Sequence, residues 1–328
     1  MKTRRDVLQV LTGLCTYLAI GVNPAHAQSF PTKAVRITTP FSAGSGPDAA
    51  LRTIAERLSK KWGKPVVIDN KPGGNGFIAV SAFRGGAADG HDLIQLDSNH
   101  ITTHPHTFRN LPYEPARDFA PLRMILRTHF FVVVPKDSPF KSVDDIVNAA
   151  RAAPGKVTYG SWFNGSPGHM GALLLESMKK IQMLHVPYRD FAQLYTAVSA
   201  NEVQWALGSL ASAGPMEQTG RVRFLALAGP TREPTYPKVP TTAELPSMRG
   251  YEVSGWTGIF APIGTAPAVR ERIAADIAEA LASPDVVERY KALGYERPDF
   301  GTAAYAQLIQ RETSAWAATI KNANLRLD

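Results

Sequence analysis

Two loops of this chain combine glycine, serine and proline in a way that suits the binding of an anion. The first loop, Pro40–Asp48, follows the β-branched run Val35–Thr39 and precedes apolar residues at helical spacing. Pro47 suits a first helical turn, and Gly44 and Gly46 let the backbone turn tightly beside a ligand. The pattern predicts a strand, a bare loop and a helix N-terminus, whose free N–H groups and positive dipole end favour anions.

A second copy of this arrangement lies downstream. The run Lys156–Gly160 is typical of a strand, Ser161–Ser166 forms the loop, and Pro167 opens a helix with an apolar stripe. Two such loops in one chain suggest a single acidic ligand held between two lobes. Both loops also fit ordinary βα turns, which every α/β protein contains.

The overall composition excludes several classes of function. With 328 residues, 44% hydrophobic and 20% charged, the chain fits a globular protein of two domains. Its net charge of +8 mildly favours acidic ligands. The basic residues are scattered and form no aromatic-interleaved patch, so we expect no nucleic-acid partner.

Residues 1–27 have the features of an export signal. A charged end containing Arg4 and Arg5 precedes a largely apolar stretch, and Ala25–Ala27 fits a cleavage site. The two arginines also resemble a twin-arginine signal, so we expect a periplasmic protein from which the signal is removed. Because the single cysteine, Cys15, lies in this segment, the mature chain would have no disulfide, thiolate metal site or cysteine nucleophile.

From residue 30 onward, short β-rich runs alternate with helical stretches, as in α/β folds. The apolar runs Phe130–Val134 and Trp256–Ala261 predict strands, and the C-terminal region is predicted to be helical at Ala268–Leu281 and Ala303–Asn322.

Motifs spread along the chain resemble those of one family. They are Pro-Phe-Ser-Ala-Gly at 40–44, Asn-Lys-Pro-Gly-Gly at 70–74, Leu-Pro-Tyr-Glu-Pro at 111–115, Tyr-Gly-Ser at 159–161 with Gly165, Ser166 and His169, His-Val-Pro-Tyr at 185–188, Pro-Lys-Val-Pro-Thr at 237–241 and Leu-Ala-Ser-Pro-Asp-Val at 281–286. From about Phe30 to the C-terminus, the chain resembles the Bug-type extracytoplasmic solute-binding receptors of tripartite tricarboxylate transporters.

This resemblance implies an α/β, two-lobed periplasmic binding protein of the Venus-flytrap, type II-like class, with the ligand cleft between its lobes. One lobe would comprise 28–129 plus 252–328 and the other 130–251, with a hinge where strands cross near Phe131 and Trp256. The resemblance also implies a monomer without catalysis, cofactor or metal. Its partners would be the membrane components of a transporter, or a sensor kinase.

The two loops supply the expected ligand site. By resemblance, a carboxylate is held, partly through water, by Phe41, Ser42, Ala43 and Gly44 of the first loop and by Ser161, Asn164, Gly165 and Ser166 of the second. We add three aromatic residues to this site: Trp162 and Phe163, where small residues are typical, and Trp205, expected near the same cleft edge. These rings would stack on an aromatic ligand or narrow the pocket, or else Trp162 and Phe163 only cap the core of their own lobe.

A missing acid narrows the expected ligand class. The segment that commonly reads Val-Asp-Leu-Met-Phe-Asp is Val-Gln-Trp-Ala-Leu-Gly at 203–208, without either acid. An amino-acid ligand would need a carboxylate partner for its ammonium group. We therefore expect a non-amino carboxylate, with aromatic carboxylates slightly ahead of aliphatic diacids.

Two enzyme hypotheses compete with the receptor. Gly44-x-Gly46 fits a dinucleotide fingerprint, with Asp69 at the end of the next strand, so an exported NAD(P)-dependent oxidoreductase is the alternative. Ser166 and His169 suggest a hydrolase, but no nucleophile elbow surrounds Ser166, which is better explained as a helix N-cap.

A third cluster, His100, His104 and His106, raises the question of a metal. We expect these to be solvated loop histidines, because Pro105 breaks any helical face and no clear acidic ligand is nearby.

The second loop generates a direct test. Ser166→Ala removes a hydroxyl and a cap worth about 1 kcal/mol, so we expect weaker carboxylate binding with the fold intact. Isothermal titration calorimetry measures this difference, and an unchanged affinity would show that the second loop is not part of the site.

Overall fold

The structure, a computed structural model, describes residues 30–322, 326 and 327 of the chain. The expected export signal, residues 1–27, lies outside the described residues. The strands are β1 Val35–Thr39, β2 Val66–Asn70, β3 Asp92–Asp97, β4 Phe119–Pro135, β5 Thr158–Ser161, β6 Leu184–Pro187, β7 Trp205–Gly208, β8 Val222–Ala228 and β9 Ser254–Pro262. The helices are α1 Gly46–Trp62, α2 Phe77–Arg84, α3 Ser98–Thr102, α4 His104–Thr107, α5 Pro115–Asp118, α6 Val143–Ala152, α7 Pro167–Lys179, α8 Phe191–Ser199, α9 Leu210–Gln218, α10 Pro267–Ala282, α11 Pro284–Ala292 and α12 Thr302–Asn322.

One long strand, β4, joins two halves of the sheet. The strand order is β2-β1-β3-β9-β4-β7-β5-β6, with β8 also paired to β4. Residues Phe119–His129 of β4 pair with β9, whereas Phe130–Pro135 pair with β8. We call the half containing β1–β3, β9 and the start of β4 the first lobe, and the half containing β5–β8 and the end of β4 the second lobe. That the two lobes move as separate units stays a prediction.

The alternation of strands and helices predicted from the sequence is confirmed, but β4 is longer than predicted. Its first part alternates buried residues with half-buried ones such as Arg123 and Arg127, so it lacks the continuous apolar run that marks Phe130–Val134. Helix α9 was not predicted at all. It contains Pro215, a residue that ordinarily argues against a helix interior.

Each lobe has helices packed on its sheet. In the first lobe, α1 and α10 bury residues such as Ile54 and Ile277 on one face of the sheet, while α2 and α12 bury Phe83 and Tyr305 on the other. The second lobe has a core rich in aromatic residues. Because both faces of the parallel strands are covered, the loops at the strand ends are the parts left to form a site. No helix in the described part of the chain is long and apolar enough to cross a bilayer.

A histidine sits where β4 passes from one lobe to the other. His129 Nε2 lies 3.1 Å from Glu252 Oε1, and His129 Nδ1 lies 3.3 Å from Glu296 Oε1. Burial opposes the charged form of this ring, but hydrogen bonds to Glu296 and Glu252 outweigh it and raise the pKa of His129 above its usual value. The ring of His129 therefore links the segments before β9 and after α11 to the crossing strand.

This cluster should make stability depend on pH. Because the folded pKa of His129 is raised, its contribution is fully present below the unfolded pKa of about 6.5 and is lost as pH rises through the folded value. We expect His129→Gln to lower the free energy of unfolding by only about 1 kcal/mol at acidic pH, since both glutamates are partly exposed. At alkaline pH the effect should be much smaller, because the ring has then lost its charge. Urea unfolding at several pH values measures this. His106→Gln is the control, because burial lowers the pKa of His106 instead; a His129→Gln effect that does not depend on pH contradicts the assignment.

Candidate functional site

The first loop is held in shape by polar side chains behind it. Asp48 Oδ2 accepts a hydrogen bond from the N–H of Gly44 at 2.8 Å. Asn70 Nδ2 donates to Asp48 Oδ1 at 2.8 Å and to the carbonyl of Phe41 at 2.9 Å. Gly44 has a φ of 81°, which favours glycine. The loop conformation is therefore fixed by the protein itself rather than by a ligand.

Helix α1 begins with no side-chain cap. Ser45 is its N-cap residue, but the Ser45 hydroxyl makes no hydrogen bond to any described residue, and neither does that of Ser42. Both oxygen atoms are buried. The N–H groups of the first turn and two hydroxyls are thus left for another partner.

Two helices of the second lobe begin at the same boundary. Helix α7 follows Ser166, whose Oγ accepts a hydrogen bond from the N–H of His169 at 3.3 Å, so the predicted N-cap is confirmed. Helix α9 follows Ser209 and begins opposite α1. A Cβ atom added to Gly46 would lie 2.6 Å from the Cβ of Ala211 in α9 and would also clash with the hydroxyl of Tyr295. The absence of a side chain at Gly46 is what lets the two helix N-termini approach.

A small cavity, which we call the central cavity, lies where the three helices begin. Its volume is about 20 Å³. It is lined by Phe41, Pro47, Asp97, Leu126, Thr128, Phe130, Trp162, Pro167, Phe191, Ser209, Ser212, Gly255, Trp256, Thr257 and Tyr295. None of these lining residues is lysine, arginine or histidine. Within the described structure, an anion there would be stabilised by helix N-termini and neutral polar groups.

A wider cavity of about 300 Å³ adjoins the central one. It lies between Ser42–Gly46 of the first loop and helices α8 and α9, and it shares Phe191 and Ser212 with the central cavity. The predicted residues Ser42, Ala43 and Gly44 line this wider cavity, and Phe41 lines the central one.

Trp162 lines the central cavity and also belongs to the core of the second lobe. Its ring centroid lies 4.8 Å from that of Phe191 and 5.6 Å from that of Phe130. The indole N–H is buried and has no partner among the described residues. Across the boundary, Phe41 stacks on Phe191 at 6.3 Å. Trp162 therefore lies both at the central cavity and in the core of its own lobe. Its contact with a ligand stays a prediction.

The rest of the second loop contacts the first lobe. The amide of Asn99 donates to the carbonyl of Gly165 at 2.6 Å, and the N–H of Asn164 donates to Asn75 Oδ1 at 3.2 Å. The ring of Phe163 lies 5.3 Å from that of His100. These three loop residues connect the lobes directly, and their contact with a ligand stays a prediction.

Ser161 and Trp205 lie deeper than expected. Ser161 is fully buried, and its hydroxyl is bonded to the carbonyl of Phe163 at 2.9 Å and to His185 Nε2 at 2.7 Å. The expectation that Trp205 lies near the cleft edge is wrong. Trp205 is the first residue of β7, so the length of the strand separates it from the boundary between the lobes, and it is buried beside Tyr159 in the lobe core.

Two of the three histidines near residue 100 are buried and the third, His106, is half-buried, which corrects the expectation of solvated loop residues. His100 and His104 are fully buried, and burial lowers the pKa of His100 to about 4. Both pack in the first lobe against the second loop. Among the described residues, no three histidine, cysteine, aspartate or glutamate side chains form a group that could hold a metal ion.

Two features of the site escaped the sequence analysis. Asp97, an acidic residue, lines the central cavity, and α9 supplies a third helix N-terminus. A signal for α9 was present, because Leu207-Gly208-Ser209 repeats the apolar–Gly–Ser pattern of Tyr159-Gly160-Ser161 at the end of a strand. Nothing comparable distinguishes Asp97 from other aspartates that follow a strand.

Most of the chain matches a known protein family. The model of the family described as "Tripartite tricarboxylate transporter family receptor" matches residues 50–325. The chain belongs to this family.

Its relatives include proteins of known structure. The chain is 33% identical over 315 residues to the "UPF0065 protein in tcbD-tcbE intergenic region" of Pseudomonas sp. strain P51. The aligned region covers 95% of this chain and 93% of that protein. The structure described as "R. palustris Rpa4515 with adipate" shares 30% identity, with a TM-score of 0.85 over 90% of this chain and 99% of that one. MatC (Rpa3494) from Rhodopseudomonas palustris, described with bound malate, shares 28% identity, with a TM-score of 0.83 over 89% and 100%.

Membership of the receptor family confirms the resemblance seen in the motifs and the periplasmic binding protein fold. The chain is a periplasmic solute-binding receptor and not an enzyme. The oxidoreductase hypothesis based on Gly44-x-Gly46 and the hydrolase hypothesis based on Ser166 and His169 are therefore wrong. In this receptor the glycines serve the turn of the loop and the approach of two helices.

The close approach at Gly46 can be tested directly. In Gly46→Ala, the added methyl group meets Tyr295 of the first lobe and Ala211 of the second, so the lobes must move apart or repack, at roughly 1–3 kcal/mol. We expect small-angle scattering to give a larger radius of gyration than for the unchanged protein. Gly301→Ala is the control, since a Cβ there meets no atom within 4 Å. Identical scattering of all three proteins would show that the lobes do not approach this closely in solution.

Proposed function

We propose that this receptor captures a small non-amino carboxylate between its lobes, with aromatic carboxylates ahead of aliphatic diacids, and delivers it to a tripartite tricarboxylate transporter. The observation that carries the proposal is the meeting of three helix N-termini at one cavity whose lining has no cationic side chain. Solved relatives described with adipate and with malate support a carboxylate ligand.

The anionic end of the ligand is expected at the first loop. Helix N-termini stabilise an anion by roughly 0.3–1 kcal/mol each, and more where water is excluded. The unpartnered hydroxyls of Ser42 and Ser45 and the indole N–H of Trp162 are buried donors that a carboxylate could satisfy. Leaving such a donor unsatisfied costs roughly 1–3 kcal/mol, so a ligand that accepts these hydrogen bonds gains accordingly.

The body of the ligand meets mainly aromatic side chains. Six aromatic residues line the central cavity: Phe41, Phe130, Trp162, Phe191, Trp256 and Tyr295. Stacking contributes roughly 0.5–1.5 kcal/mol beyond the buried area, which favours a ring over a flexible aliphatic chain. The same surfaces also bury methylene groups, so an aliphatic diacid remains the next choice.

Binding requires the lobes to separate and close again. A cavity of about 20 Å³ holds about one water molecule, whereas a benzoate or a dicarboxylate is several times larger. The ligand therefore enters an open cleft, and the contacts between the second loop and the first lobe re-form around it.

The segment 203–208 lacks the acids that would meet an ammonium group, but the site has another acidic residue. Asp97 of β3 lines the central cavity and could meet an ammonium group. The proposal of a non-amino ligand therefore depends on the charge of Asp97.

The ligand class is tested by a binding series. Benzoate, adipate, malate, aspartate and glutamate are titrated by calorimetry and by tryptophan fluorescence. We expect micromolar binding of benzoate or a diacid with a fluorescence change, and no tight binding of the amino acids. Tight binding of aspartate or glutamate refutes the non-amino claim, a diacid that binds without a tryptophan response refutes the aromatic one, and no binding by any carboxylate refutes the proposal.

Two matched variants locate the contact. Trp162→Phe keeps a ring but removes the indole N–H, and we expect about fivefold to tenfold weaker binding with loss of most of the fluorescence response. Trp205→Phe is the control, because Trp205 also has a buried indole N–H without a partner but lies in the lobe core. Equal losses in both variants would indicate a general effect on the second lobe.

A further inference from the structure

We propose that Asp97 binds the ligand as a neutral carboxylic acid, donating a hydrogen bond from Oδ2 to an oxygen atom of the ligand. Asp97 would thereby select oxygen acceptors over ammonium groups and make ligand capture take up a proton. The inference rests on the proposed carboxylate function.

The geometry leaves one oxygen of Asp97 for a ligand. Asp97 ends β3 and caps α3, and its Oδ1 accepts the N–H of Asn99 at 3.0 Å and the hydroxyl of Ser98 at 3.3 Å. Oδ2 takes part in none of the hydrogen bonds found among the described residues. The residue is 5% exposed and lines the central cavity, so this cavity is where a ligand would reach Oδ2.

The second lobe offers nothing to neutralise an ionised Asp97. The residues that it contributes to the central cavity are aromatic rings, proline and serine, without any ionisable group. Of its helices, α7 and α9 bring their N-termini to the cavity, and α8 contributes the side chain of Phe191.

The first lobe surrounds Asp97 with groups that are neutral or already paired. His100 on α3 is kept neutral by burial, and burial also raises the pKa of Tyr113. Arg127 on β4 lies 4.0 Å from Glu312 on α12, and the pKa of Asp97 is set by burial and by its hydrogen bonds rather than by Arg127. Tyr295 lines the same cavity, and burial raises its pKa as well. His104 of α4 is likewise neutral.

The titration of Asp97 fits this arrangement. Burial raises its pKa to about 7, although the bonds from Asn99 and Ser98 favour the charged form. Both forms are therefore populated near neutral pH. A carboxylate entering beside Asp97 shifts it further toward the acid, because two like charges at short distance in a dry site repel strongly.

A neutral Asp97 complements the other groups of the cavity. The helix N-termini stabilise the negative charge of the ligand, and the acid donates a hydrogen bond to the same carboxylate or to a second oxygen. An ammonium group would favour the ionised form of Asp97 but would face three positive helix ends. The charge pattern thus favours a ligand with oxygen acceptors only.

The test is the pH dependence of binding. Benzoate and adipate, both ionised at pH 7 and above, are titrated into the unchanged protein, Asp97→Asn and Glu176→Gln at pH 6, 7 and 8. With a pKa of about 7, the acid form of Asp97 falls about tenfold between pH 6 and 8, and the affinity should fall equally. Asparagine keeps the Oδ1 acceptor for the cap and donates like the acid, so Asp97→Asn should bind tightly at every pH.

The control is another carboxyl group whose pKa is raised by burial. Glu176 lies on α7 and accepts the N–H of Met183, outside the residues that line the central cavity. Glu176→Gln should keep the pH dependence of the unchanged protein. Calorimetry of benzoate in two buffers of different ionisation enthalpy should show uptake of about 0.9 proton per ligand at pH 8, and none in Asp97→Asn. Proton uptake in the unchanged protein decides the question even where a variant fails to fold.

The outcomes separate this inference from the proposed function. Carboxylate binding with equal affinity at pH 6 and 8 and no proton uptake overturns the role of Asp97 but leaves the carboxylate receptor intact. Loss of binding by Asp97→Asn at every pH overturns it as well, since an ionised Asp97 would then be required. If the unchanged protein binds no carboxylate, the proposed function fails, and this inference fails with it.

Discussion

Helix N-termini that meet without an intervening cation create a demand for negative charge. In this receptor, α1, α7 and α9 begin around one cavity, and the lining of that cavity has no lysine, arginine or histidine. Fixed peptide dipoles cannot rotate away from one another, so their mutual repulsion persists until an anion lies between them. Such a site avoids the large desolvation penalty of a buried arginine, and it leaves room for an uncharged contact such as a neutral Asp97.

The position of those helices follows from the course of the sheet. Parallel strands β1, β5 and β7 each end at the boundary between the lobes and each lead into one of the three helices. Strand β4 continues from one lobe into the other, so the two sets of strand ends face each other across a boundary that a single backbone spans. Gly46 then sets how near the helices come, because any Cβ at that position meets atoms of Tyr295 and Ala211.

The second loop couples the ligand cavity to the contact between the lobes. Trp162 lines the cavity, while the next three residues bond to Asn75 and Asn99 and pack on His100 of the first lobe. A ligand that orders Trp162 therefore also orders the residues that hold the lobes together. If the proposed ligand contacts Trp162, binding and lobe closure would share one loop.

The sequence by itself determined the class of fold, the first loop, the N-cap at Ser166 and the family, because these depend on local patterns. Val35–Thr39, Gly44 and Pro47 carry their conformational preferences wherever they occur, and the cap at Ser166 needs only its own helix. Only the tertiary structure decided which side chains share the cavity. Asp97 lies there because it is the last residue of β3. Trp205 does not, because it is the first residue of β7 and is buried in the core of the second lobe. The charge of Asp97 is likewise a property of its burial, which no single stretch of sequence specifies.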